Sequence, residues 1–214
     1  MTSTSRVRIF KFLSSQVTVA LLLAIGGVPA LGVELTPAEY PFEYQDPIIA
    51  TLTTAMAHGS PEAFNLDVKV GKIQVLPGRD QIPLFEGRGR LYYNFYPQKN
   101  RTAPLIFVVA GLGGQGGSGY SAFVAELLAH QGYQVLTVSS PFFWNFILSA
   151  GSTGLPGLTD EDARDLYRAM KAELADVRAR FGIKPRAVGA VGFSMGALEL
   201  AYVSQIDKTE TATG

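Results

Sequence analysis

Three runs of this sequence are apolar almost without interruption, and each is followed by a segment with helical spacing. The runs are Pro104–Ala110 (PLIFVVA), Gln134–Val138 (QVLTV) and Ala187–Gly192 (AVGAVG). A strand with one wet face alternates apolar and polar residues, whereas a strand buried on both faces reads as a continuous run. The first segment between them, Ser121 to Gln131, places Phe123, Val124, Leu127 and Leu128 on one helical face and ends at Gly132. The second opens at Thr159, with Asp162 in the place of a capping-box glutamate, and carries Leu166, Met170, Leu174, Val177 and Phe181 before Pro185 stops it. A third helix starts in Ala197–Val203. Strand and helix repeated three times predict right-handed crossovers in a parallel sheet, with helices on both faces.

Ahead of this core the pattern differs. Residues 66–76 alternate, with Val68, Val70, Ile73 and Val75 apolar, and Arg90–Tyr96 is aromatic and ended by Pro97. Both predict antiparallel strands leading the sheet. Asp46-Pro47 predicts an N-cap and a first helical residue, opening a short helix through Met56, with His58 just beyond it. At the N-terminus, Arg6, Arg8 and Lys11 precede the apolar run Val17–Ile25, and small residues follow at Ala30 and Gly32. That is the pattern of a secretory signal peptide over residues 1–32. The run falls short of the ~20 apolar residues of a membrane span, so a membrane enters only if the segment stays uncleaved. The expected organisation is a signal peptide, one α/β domain over 33–206 and a polar tail over 207–214, in a periplasmic or secreted protein.

Composition narrows the chemistry. The chain is 47% apolar and 17% charged, carries no net charge and has no cysteine. It can bury a large core, gives no electrostatic footprint for nucleic acid, and cannot form disulfides, thiolate metal sites or a cysteine nucleophile. Neither a metal nor a cofactor is expected.

The chemistry-bearing motif is Gly192-Phe193-Ser194-Met195-Gly196, between a buried strand and a helical run. A serine at so sharp a strand-to-helix turn is pressed into a strained backbone, its hydroxyl standing clear at the helix N-terminus. Glycines two residues away on either side remove side chains that would collide there. The alternative is a glycine-rich turn with an N-cap serine. Gly111-Leu112-Gly113-Gly114-Gln115-Gly116-Gly117 follows the first core strand. For acyl transfer it would supply one oxyanion N–H, from Leu112 or else Gly113, to complement that of Met195. The same loop fits Gly-x-Gly-x-x-Gly (Gly111, Gly113, Gly116), a dinucleotide pattern, but no acidic residue ends the next strand. Pro141–Gly157 is a long apolar loop leaving a strand's C-terminal end. In it Phe142, Phe143, Trp144 and Phe146 either line a substrate pocket or serve as ordinary core.

Together these pieces resemble the α/β-hydrolase superfamily from about Leu91 to Val203. Ala110-Gly111-Leu112-Gly113-Gly114 is similar to its oxyanion-loop pattern, with Ala110 where a histidine is common. Gly132-Tyr133-Gln134-Val135 is similar to its helix-to-strand passage, and residues 192–196 to its nucleophile elbow. The resemblance implies an exported serine hydrolase acting on small carboxylic esters through an acyl-enzyme, with Ser194 as nucleophile and Met195 and Leu112 as the oxyanion hole. That superfamily places an acid and then a histidine after the serine. Residues 197–214 hold Asp207 and Glu210 but no histidine, and both histidines, His58 and His130, lie upstream. The expectation is an incomplete domain, truncated after the nucleophile helix and inactive by itself. The alternatives are a non-catalytic ligand- or partner-binding protein of the same fold and a dinucleotide-binding oxidoreductase.

Overall fold

Residues 46–56, 66–79, 84 and 89–212 are described by a computed structural model. The segment read as a signal peptide and His58 lie outside them. In chain order the elements are α1 (Pro47–Met56), β1 (Lys69–Ile73), β2 (Leu91–Tyr96), β3 (Leu105–Val109), α2 (Gly119–His130), β4 (Gln134–Val138), α3 (Trp144–Ser149), α4 (Thr159–Phe181), β5 (Val188–Gly192) and α5 (Met195–Ala212). Two units separate within the chain, a smaller one containing α1 and a larger one containing everything from Leu66 onward. In α1, Asp46 caps as the sequence predicts: its Oδ1 accepts the N–H groups of Ile48 and Ile49, both at 2.9 Å.

The larger unit is α/β, built on a mixed sheet of order β1-β2-β4-β3-β5. β1 with β2 and β2 with β4 are antiparallel, while β4–β3 and β3–β5 are parallel. β3 lies inside two parallel neighbours, and its residues divide between two cores. Leu105, Phe107 and Val109 join the larger cluster under α4 and α5; Val108 joins a smaller one under α2. That division is why a run such as PLIFVVA has no polar face. No helix among the described residues is long and apolar enough to cross a membrane.

Several local expectations change in detail. The buried line of α2 is Ser121, Ala125 and Ala129, with Val124 and Leu128 partly buried beside it. Phe123 and Leu127 are exposed. Small residues let the helix axis lie close to the sheet, so the larger side chains splay outward. β1 turns Gly71 inward and leaves Val70 exposed, and the Tyr93 ring of β2 lies across Gly71 in the space a side chain would fill. Thr159 is the first residue of α4 rather than its cap; Leu158 takes that place, without a side-chain bond. α4 ends before Pro185 is reached, at Gly182 in the left-handed region (φ +62°). The residues set apart as a polar tail continue α5 to Ala212, with Asp207 buried and accepting the Tyr167 hydroxyl at 2.6 Å.

The sheet order fixes where a site can form. The chain leaves β3 for α2 on one face and leaves β5 for α5 on the other. Neighbouring strands whose connections depart to opposite faces leave a crevice at their C-terminal ends, where open α/β sheets bind ligands. The residues at this position are 110–117 and 193–196. β3 is its central support, and Phe107 is wholly buried there. Replacing Phe107 with Ala is expected to cost about 3–5 kcal/mol, measured by urea unfolding of the purified protein.

Candidate active site at the end of strands β3 and β5

Only Phe193 and Ser194 separate the end of β5 from the start of α5, so the chain must reverse within two residues. Ser194 takes φ +53°, the only positive φ at a non-glycine residue among those described. Such a conformation costs about 1–2 kcal/mol for a residue with a Cβ. The glycines on either side hold it there. A Cβ on Gly192 would stand 2.6 Å from the carbonyl carbon and oxygen of Gly196. One on Gly196 would stand 2.5 Å from the Ala110 carbonyl oxygen and 2.7 Å from that of Val109. The first turn of α5 is thus seated directly on the backbone at the end of β3. It is closed by the Gly196 and Ala197 N–H groups, which donate to the carbonyls of Phe193 and Ser194, both at 3.0 Å. The Ser194 side chain faces solvent.

The glycine loop meets this turn from the other side. A Cβ on Gly111 would come within 3.1 Å of the Phe193 ring, which also packs on Tyr120 with ring centroids 5.7 Å apart. Gly111 accepts the Gly114 N–H at 2.9 Å, closing a turn in which Gly113 has φ +65° and Leu112 is 63% exposed. The rest of the loop is fastened to the end of β4. Gly116 donates its N–H to Ser139 Oγ at 3.0 Å, and Ser140 donates its N–H to the Gly114 carbonyl at 3.0 Å. Gly117 lies against the Asn94 amide, where a Cβ would approach to 2.7 Å.

This arrangement brings together Ser194, Met195, Leu112 and Gly113 around the crevice. Met195 is the first residue of a helix of 18 residues, whose N-terminal amides carry partial positive charge. Among the described residues, no protein acceptor takes the N–H of Met195, Leu112 or Gly113. Chemically the site offers an exposed hydroxyl beside unspent backbone donors, the equipment for holding developing negative charge on a carbonyl oxygen.

The aromatic segment divides. Phe146 is only 1% exposed and belongs to the main core. Trp144 is 46% exposed, and Phe142 and Phe143 are partly buried, with the Phe143 and Trp144 rings 5.6 Å apart. Part of the expected loop is the short helix α3. Its Asn145 bridges to β2, donating to the Arg90 carbonyl at 2.9 Å and accepting the Tyr92 N–H at 3.3 Å.

Neither histidine is placed beside the serine. His58 lies outside the described residues, and His130 is the exposed last residue of α2. Since α2 runs back from the C-terminal end of β3 to the start of the parallel β4, its own end lies at the opposite end of these strands from Ser194. Among the described residues no base is hydrogen-bonded to the Ser194 hydroxyl, and no group of three or more histidines or acids could hold a metal ion. The sequence reading passed over Ser139, Asn94 and Tyr120, which fix the glycine loop and elbow in place. The available signal was Ser139-Ser140 in the position where a dinucleotide fold would carry an acid. Comparison with models of known families and with curated proteins finds no match.

The two kinds of glycine should respond differently. Gly196→Ala sets a Cβ against backbone atoms that cannot turn aside and is expected to cost several times more stability than Gly113→Ala. Gly113 has open space around it and should cost only the ~1–2 kcal/mol of a left-handed alanine. Denaturant midpoints of the two variants against the parent protein test this.

Proposed function

We propose that Ser194 is the nucleophile of an exported serine hydrolase acting on carboxylic esters. The carrying observation is its strained backbone, φ +53°, held between glycines that backbone contacts leave no room to replace. Supporting it are the switch-point position, the open amides of Met195 and Leu112, and a sheet in which two antiparallel strands precede the parallel ones. The order β1-β2-β4-β3-β5 is in keeping with the resemblance to α/β-hydrolases. In the proposed reaction Ser194 Oγ attacks the ester carbonyl carbon and gives its proton to a base. The carbonyl oxygen becomes an oxyanion facing the Met195 and Leu112 N–H groups, with Gly113 the other donor of that turn. The C–O bond to the alcohol then breaks as the alcohol takes up the proton, and water resolves the acyl-enzyme by the same route.

The proton acceptor is the component the described residues do not supply. A serine hydroxyl without a base is a weak nucleophile, and loss of a triad base can slow turnover by ~10⁶. That gap is the observation favouring a second reading, a non-catalytic binding protein using exposed Leu112 and Trp144 as contacts. The dinucleotide reading is less supported, because the Gly116 N–H is already donated to Ser139 instead of being open to a phosphate.

A fluorophosphonate offered to the folded protein expressed from its complete gene is expected to label Ser194 and to leave the Ser194→Ala variant unlabelled. A folded protein that gives no adduct would sink the nucleophile assignment.

A further inference from the structure

An open cavity of about 520 Å³ lies against the edge strand β1. The sheet order sets β1 and β5 on opposite edges, so this cavity is separate from the crevice at Ser194. Cations line it from three parts of the chain: Lys72 of β1, Arg90 just ahead of β2, and Arg180 near the end of α4. Among the described residues that line it, Asp176 is the one acid. Val70 and Tyr92, both exposed, supply apolar surface. The volume is that of a small-molecule site, in which a few placed polar groups orient a largely apolar ligand.

The charges around this cavity do not cancel. Asp176 is already engaged: it accepts the Tyr93 hydroxyl, and Arg180 Nη1 donates to its Oδ2 at 3.1 Å. Arg180 Nη1 also donates to the Tyr93 hydroxyl oxygen at 3.3 Å. The Tyr93 ring fits there because Gly71 has no side chain to fill the same space. Burial first, and then Asp176, push the Tyr93 hydroxyl well above its ordinary value, so it stays a neutral donor. Arg180 is thus braced with its charge balanced, while its Nε and Nη2 meet no acceptor among the described residues. Lys72 and Arg90 have no acid partner among those residues, whereas Lys69, also on β1, pairs with Asp67 at 2.7 Å. Glu173, three residues before Asp176, is wholly buried, and burial and then Asp176 favour its neutral form. Two positive charges are left over.

A lysine on an edge strand by itself discourages pairing with another chain. That use does not account for Arg90 and Arg180, which come from other parts of the chain, or for an arginine braced by a tyrosine and an aspartate. We propose that this cavity binds a small organic dianion, a phosphomonoester with an apolar body. Lys72 and Arg90 neutralise its two charges, and Arg180 donates to a remaining oxygen. A phosphomonoester presents three terminal oxygens and up to two charges, matching three donor groups with two charges in surplus. A carboxylate presents two oxygens and one charge. Val70 and Tyr92 bear the apolar part of the ligand.

This site does not depend on Ser194 being a nucleophile, and its test reads binding alone. Equilibrium dialysis of the complete protein would use phenyl phosphate at pH ~8, where the ester carries both charges. Phenyl phosphate is expected to be retained with a Kd below ~1 mM. Phenyl sulfate, with the same ring and one charge, is expected to bind at least about tenfold more weakly. Lys72→Gln and Arg90→Gln together are expected to weaken phenyl phosphate binding by at least about tenfold. Both side chains are exposed, so the double variant keeps the fold. Ser194→Ala is expected to bind as the parent does. No retention by the parent, equal affinity for the two esters, or affinity that survives the double variant would each overturn the proposal. The same ester chemistry occurs on a lipid headgroup, so vesicles containing phosphatidate form a second arm. Sedimentation with those vesicles, without retention of the soluble ester, would put a membrane at this edge and likewise overturn it.

Discussion

The site depends on one contact between backbones. Gly196 rests on the carbonyls of Val109 and Ala110, leaving no space for even a methyl group. This contact joins the end of β3 to the first turn of α5 and so sets the angle at which α5 leaves the sheet. The reversal at Phe193 and Ser194, the positive φ of the serine and the placement of the Met195 amide all follow from that angle. Gly192, packed against Gly196, and Gly111, packed against Phe193, make the approach possible from the two sides. The strain at Ser194 is thus sustained by β3, an interior strand of the sheet.

Around this contact the structure is rigid where it needs to hold the backbone and open where a ligand would enter. Ser139 and Ser140 fasten the glycine loop to the end of β4, so that Leu112 and Gly113 project from a loop secured on both sides. Behind the elbow, the Tyr167 hydroxyl bonded to Asp207 and the Lys171 ammonium bonded to Glu210 hold α4 and α5 in register.

Much of this was legible in the sequence because it rests on local patterns. Continuous apolar runs marked the parallel strands, since burial on both faces removes alternation. The pair of glycines around Ser194 marked the turn, since only glycine fits backbone against backbone. What was not legible depends on tertiary contact. The buried face of α2 is made of Ser121, Ala125 and Ala129, which hydropathy ranks below the exposed Phe123 and Leu127. Phe146 looked like pocket wall as much as core, because aromatic residues serve both and only burial separates them. Glu199, buried in the structure, sat unremarked inside the apolar run ALELAYV, because hydropathy alone does not place an acid in a core.

The central claim is that the elbow and the glycine loop form one oxyanion-binding site around Ser194. Its most direct test is a crystal structure of the complete protein after reaction with a phosphonate or boronate ester. A covalent bond to Ser194 Oγ is expected, with one oxygen of the adduct about 2.7–3.1 Å from both the Met195 N–H and that of Leu112 or Gly113. An adduct oxygen turned to solvent, or a Ser194 relaxed to negative φ and left unmodified, would contradict it.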